Sequence, residues 1–234
     1  MTFSIVGSCK RTGMQGVAIT TSSICVGSRC PWVRSGVGAV TSQNVTDPTI
    51  GNEVLDLLAG GISVADAVKR VMSDRPHSAY RQVAAVDREG YTAHFTGPNI
   101  LGVNKVAEGR CCVAAGNLLS IPDVPNVMVK QFEAGGEHHL AERLLLALEA
   151  GIDAGGEVGP THSAALLVAH ENFWPLVDLR VDWSDQPVIE LRVCWEEYKP
   201  QMMDYLARAL DPESAPAYGV VDSRGPYRLR YHQL

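Results

Sequence analysis

The chain has 234 residues, 46% of them hydrophobic and 20% charged, with 26 acidic against 20 basic residues and a formal net charge of −6. That composition supports one sizeable core. Mild acidity without a dense Lys/Arg run argues against a phosphate-backbone binder, so no nucleic-acid partner is expected. The longest apolar runs, such as residues 164–169, fall far short of the roughly 20 residues of a bilayer-crossing helix. The start also lacks the basic-then-apolar signature of a leader, so no membrane partner and a cytoplasmic location are expected.

Six cysteines stand at positions 9, 25, 30, 111, 112 and 194, with no CxxC pair. They read as reduced, mostly buried thiols. Cys25 and Cys30 lack a second ligand pair, so no metal site is expected there. Cys111 and Cys112 are expected in one strand, facing opposite sides.

In chain order, residues 2–7 predict a strand, 9–13 a turn, and 15–21 a second strand with Val17, Ile19 and Thr21 on one face. Residues 24–27 are short and apolar, and 36–42 predict a strand of small residues that allows close backbone approach. A helix is expected to start at Asp47-Pro48, carry Ile50, Val54, Leu57 and Leu58 inward, and end at Gly60-Gly61. Ser63 and Asp66 form a capping box for the next helix, which Arg75-Pro76 stops. Strands follow over 80–86 and 91–95, joined by a turn at 87–90, then a strand over 110–115 ending at Gly116-Asn117.

Helices are expected over 124–132 and 137–150, the second ended by Gly151, followed by a Gly-rich loop over 153–159. An apolar strand spans 162–169, with His162 and His170 on one face about 26 Å apart by strand rise. His138 and His139 are read as neighbours on a helix, too far apart in angle to share a ligand. A partner strand lies over 173–181, an extended segment over 187–194 and a single helix over 195–210. Residues 1–210 are thus expected as one domain, and 211–234 as a tail docking on that domain or on a partner.

Strands grouped in hairpins and helices grouped in pairs do not fit a doubly wound parallel sheet, and neither GxGxxG nor a Walker A pattern is present. No cofactor is expected. The fold class predicted is α+β, with antiparallel sheets covered by helix layers.

The opening residues 2–44 resemble the start of the family of unknown function DUF1028, which is placed among the N-terminal nucleophile (Ntn) hydrolase-like proteins. The same resemblance extends to Gln82-Val83-Ala84-Ala85-Val86-Asp87, Phe95-Thr96-Gly97, Ala115-Gly116-Asn117-Leu118-Leu119, residues 163–168, and Val177-Asp178-Leu179-Arg180-Val181. It implies a four-layer αββα sandwich with two mainly antiparallel sheets. Some members carry a peptidoglycan-binding domain after this one; residues 183–234 are expected instead to be one helix and a tail.

The resemblance implies a candidate chemistry. An Ntn hydrolase uses a Thr, Ser or Cys whose own α-amine, with pKa near 7.7–8, acts as base for its side chain. Thr2 would qualify once Met1 is removed, which a small second residue permits. Asn117 is the candidate oxyanion donor, with Gly116 allowing close approach. Arg34 is expected to orient a substrate carboxylate or lower the amine pKa, and Gln43, Asn44 and His94 to contact substrate. Thr20, Thr21, Ser22 and Ser23 form a second hydroxyl cluster with no base beside them in sequence. Two readings stay open: an amide or peptide-bond hydrolase acting on a small-molecule or peptide amide, and a noncatalytic binding or assembly domain. Tyr218, Tyr227 and Tyr231 in the tail suggest a homo-oligomer.

Overall fold

The computed structural model describes residues 1–216 and the short strands Val221–Asp222 and Gly225–Pro226. The expected tail, with its three tyrosines, falls largely outside the described residues. Two compact units are present, Met1–Arg192 and Val193–Leu234.

The first unit holds two antiparallel sheets. Strands β1 (Thr2–Cys9) and β2 (Met14–Thr21) form a hairpin. Strands β3 (Pro31–Arg34) and β4 (Gly38–Asn44) follow, then β5 (Arg81–Asp87) and β6 (Thr92–Thr96). The remaining strands are β7 (Lys105–Gly109), β8 (Cys112–Asn117), β9 (Ser163–Ala169) and β10 (Val177–Val181). One sheet has the order β10-β9-β2-β1-β8-β7, the other β3-β4-β5-β6.

The sheets bury their facing sides against each other. Val6, Val17, Ile19, Val113, Ala115 and Leu167 from the six-stranded sheet share one cluster with Ala39, Ala84 and Val86 from the four-stranded sheet. Helices α1 (Thr49–Ala59) and α2 (Val64–Ser73) cover the outer face of the smaller sheet, where Ile50, Val54, Val68 and Met72 meet Val40, Val83 and Ala85. Helices α3 (Val124–Ala134) and α4 (Leu140–Asp153) cover the larger one. Strand periodicity explains why both faces are apolar. Alternate residues of β1, Phe3 and Ile5 against Val6, serve the helix layer and the sheet interface in turn. The α+β sandwich of two antiparallel sheets flanked by helices is therefore as expected.

Several boundaries differ from the expectation, each for a physical reason. Strand β7 is absent from the sequence expectation because it is only five residues long, buries Ala107 alone and lies at a sheet edge. Cys111 is not in a strand: it takes φ 62 in the β7–β8 turn, and β8 starts at Cys112. Gly151 does not end α4, which runs to Asp153. A Cβ there would meet Phe3 at 2.8 Å and Met128 at 3.1 Å, so this glycine permits close helix–sheet packing. Gly155 and Gly156, at φ 115 and 56, make the turn instead. His139 precedes α4, where its Nδ1 accepts from the Ala141 N–H at 3.2 Å, so His138 and His139 are not helix neighbours. His162 and His170 flank β9 rather than belonging to it. His162 stacks on Trp183 at 4.4 Å between ring centres, and His170 lies 3.0 Å from the Thr12 carbonyl.

Residues 187–194, expected extended, open helix α5 (Pro187–Tyr198). Proline suits a first helical position, and the Ser184 hydroxyl accepts from the Gln186 N–H at 2.9 Å just before it. Pro200 interrupts the single helix expected over 195–210, and α6 (Met202–Leu210) begins after it. Within the second unit, Tyr198 and Tyr205 stack with centroids 5.9 Å apart. Among the described residues no helix is long and apolar enough to cross a membrane.

Candidate functional site

Antiparallel register assembles a polar row at one end of the six-stranded sheet. Thr2 pairs with Thr21 on one side and Asn117 on the other, and Thr21 pairs with Ser163. Directly opposed residues share a face, so these four side chains line up across β9, β2, β1 and β8, toward the second sheet. Two residues further in, the row reads Ala165, Ile19, Ser4, Ala115; two more, Leu167, Val17, Val6, Val113. Polarity thus falls from the rim to the centre.

The Thr2 hydroxyl lies 3.0 Å from that of Thr21 and donates to the Met1 carbonyl at 2.5 Å; the Thr21 hydroxyl donates to the same carbonyl. With Met1 present Thr2 is only 5% exposed. Behind it the sheets are joined by buried amides. Ser4 Oγ donates to Gln43 Oε1 at 2.6 Å, and Gln43 Nε2 to Gln82 Oε1 at 2.8 Å. Asn117 Nδ2 reaches the same oxygen at 3.3 Å, while Gln82 Nε2 donates to the Gly116 carbonyl at 3.2 Å. Asn117 keeps a second N–H, and its Oδ1 is buried with no partner among the described residues.

A buried carboxyl group lies near the chain start. Beyond Asn117 the chain turns at Leu118, with φ 51, and residues 118–120 run beside 156–158. Val158 N–H donates to the Leu118 carbonyl at 2.9 Å, Leu119 bridges to Glu157, and Ser120 N–H donates to the Gly156 carbonyl at 3.0 Å. Glu157 is consequently 6% exposed, and neither carboxylate oxygen has hydrogen-bond geometry to a described residue. Burial pushes its pKa up to about 8, against the pull of the chain's N-terminal ammonium and the nearby Ser22 backbone N–H. The Met1 side chain covers this corner, its methyl 3.1 Å from where a Cβ on Gly159 would stand.

The structure brings Thr2, Asn117, Gly116 and Gln43 to one end, with Asn44 just beyond. Asn44 takes φ 74 and pins two loops, donating to the Tyr80 carbonyl at 2.9 Å and accepting from the Leu101 N–H at 3.2 Å. Arg34 and His94 are not brought there. Arg34 pairs with Gly38 at the far end of β4 and forms an ion pair with Asp56 at 2.8 Å. His94 sits on the edge strand β6, 3.2 Å from Glu108. Thr21, in the cluster without a sequence-adjacent base, lands beside Thr2. Glu157 escaped the sequence reading because an acid in a Gly-rich loop is ordinarily solvated. Its flanking apolar Val158 and the glycines were the only local signal. A larger cleft of about 790 Å3 lies elsewhere, near α1 and α2, where Arg75 bridges Asp47 and Glu53 at 2.7 Å each.

The fold and register define an antiparallel αββα sandwich with a hydroxyl, an amide and a carboxyl gathered at the chain start. The family model described as a family of unknown function (DUF1028) matches residues 2–191, and the chain belongs to that family. It is similar to the crystal structure of a DUF1028 protein from Silicibacter pomeroyi, with 34% identity, a TM-score of 0.80, and coverage of 87% of this chain and 89% of that one. It also matches Anbu, an ancestral beta-subunit from Yersinia bercovieri, with 10% identity, a TM-score of 0.40, and coverage of 87% and 97%. That second likeness is too distant to bear on this chain. None of the curated proteins matches it.

Proposed function

We propose that this chain is an amide or peptide-bond hydrolase of the Ntn type, acting through Thr2 after Met1 is removed. The observation that carries the reading is the row of Thr2, Thr21 and Asn117 at the chain start, with the buried Glu157 carboxyl near the N-terminal amine. The free α-amine of Thr2 would take the hydroxyl proton as Oγ attacks the carbonyl of a small-molecule or peptide amide. The second N–H of Asn117 faces the developing oxyanion. The C–N bond then breaks, the proton passes to the leaving amine, and an ester remains on Thr2. Water, deprotonated by the same amine, hydrolyses that ester and restores the hydroxyl. Glu157, near the chain start, would be within reach to exchange a proton with that amine, which acts as base only in its unprotonated form.

A second reading, a noncatalytic binding or assembly domain, is favoured by the Met1 carbonyl, which two threonine hydroxyls already satisfy. Intact mass and N-terminal sequencing of untagged protein separate the two. If Thr2 is the first residue, an amide-substrate panel should show hydrolysis that Thr2→Ala reduces by about a thousandfold or more, while Thr2→Ser retains part of it. Equal rates for wild type and Thr2→Ala would sink the Thr2 mechanism.

A further inference from the structure

The opposite end of the six-stranded sheet carries a second polar constellation. It lies about 23 Å from Thr2 along β1, by strand rise. Three turns meet there: the β1–β2 turn, the β7–β8 turn, and the α3–α4 connection. They enclose a cavity of about 290 Å3. Lys10 and Arg11 come from the first turn, Arg110 from the second, and Arg143 from the first half of α4. No carboxylate is among the described residues that line the cavity. Among the described residues none of these four cations forms an ion pair. In a chain of net charge −6 such a local excess of positive charge is out of balance.

The site is built rather than merely superficial. Arg143 is 8% exposed and fixed in place, its Nε and an Nη donating to the Phe132 carbonyl at 3.2 Å each and its guanidinium lying 3.9 Å over the Phe132 ring. Ser8, a residue 1% exposed, also lines the cavity, and its N–H ties two of the turns together by donating to the Cys111 carbonyl at 2.9 Å. Arg11 spends one N–H on the Glu137 carbonyl at 3.2 Å and keeps the others. Glu133 approaches, but its Oε1 accepts from the Arg110 backbone N–H at 2.7 Å. Burial opposes ionisation of the Cys9 thiol, yet hydrogen bonding from Thr12 and Arg11, with the Arg143 charge, lowers its pKa.

We propose that this cavity binds a small phosphate dianion, as free phosphate or a phosphomonoester, with Lys10, Arg11, Arg110 and Arg143 supplying charge. Guanidinium forks match the oxygens of a phosphate, and four positive charges suit a dianion better than a single carboxylate. The volume admits a phosphate group.

Isothermal titration calorimetry of the full chain with inorganic phosphate, at ionic strength held constant with chloride, tests this. Saturable binding is expected, weakened at least about tenfold in the exposed double variant Lys10→Gln/Arg110→Gln. Either single variant, Lys10→Gln or Arg110→Gln, should weaken it by a smaller factor. Arg70→Gln, on α2 and remote from the cavity, should leave it unchanged. No phosphate binding, or equal loss in Arg70→Gln, overturns the proposal. A parallel arm with vesicles containing phosphatidic acid separates a lipid headgroup from a free phosphate. Vesicle binding without binding of inorganic phosphate also overturns it.

Discussion

Thr2 sits in the middle of a ladder, and what surrounds it is decided by register. Its neighbours Thr21 and Asn117 come from positions 19 and 115 residues away, so a shift of β2 or β8 by one residue would turn both away from it. The amide chain behind Thr2 holds that arrangement. Gln82 Oε1 accepts from both Gln43 and Asn117, and Gln82 Nε2 satisfies the Gly116 carbonyl. Gln82→Leu keeps the volume but orphans two buried donors and one acceptor. It should cost about 1–3 kcal/mol for each orphaned donor, read as a lower denaturation midpoint at unchanged slope. An unchanged midpoint would mean that the network contributes nothing to stability.

At the scale of elements, the α1–α2 pair was legible in detail. The Ser63 hydroxyl accepts from the Asp66 N–H at 3.2 Å, as the capping box requires, and the Asp47 carboxylate accepts from the Thr49 N–H at 3.1 Å before α1. Spacing of apolar residues also marked the inward faces of these helices, because helical period is a local property. What spacing does not reveal is how close the helix comes to the sheet. Gly51 lies in the first turns of α1, and a Cβ there would stand 2.0 Å from the Trp32 ring. Gly51→Ala should therefore destabilise the protein by about 1–3 kcal/mol through overpacking, despite the better helix propensity of alanine. Thermal denaturation decides it: a gain in stability would show that Trp32 moves aside freely.

For the whole molecule, the pH dependence of stability follows from two carboxyl groups of opposite sign. Glu157 is raised from 4.5 to about 8, so between those values the folded state binds more protons than the unfolded one. Its contribution is fully present below about pH 4.5 and is lost as pH rises through 8. Asp47 is lowered below its usual 3.8: burial opposes ionisation, but hydrogen bonds from Arg75 and Thr49 and the Arg75 charge outweigh it. Its contribution is present above pH 3.8 and is lost as pH falls through the lowered value. For the chain that retains Met1, stability should peak in mildly acid solution and decline toward pH 8, and Glu157→Gln should flatten that decline. Denaturation midpoints measured across this range check it; an unaltered decline in Glu157→Gln would assign the effect to another group.

Local chemistry was enough to read the class of fold, the hairpins and most helices, since strand alternation, caps and turn residues act within a few positions of themselves. Asn117 stood out as a polar residue ending an apolar strand, Thr2 through its place after Met1 and the family resemblance, and the structure sets them in one row. Arg34 and His94 looked equally suitable in sequence, yet strand direction and edge position carry them elsewhere. Glu157 had no local mark, because what distinguishes it is burial. Burial is a sum over contacts from distant segments, so it exists only once the two sheets and their connecting turns have closed around a residue.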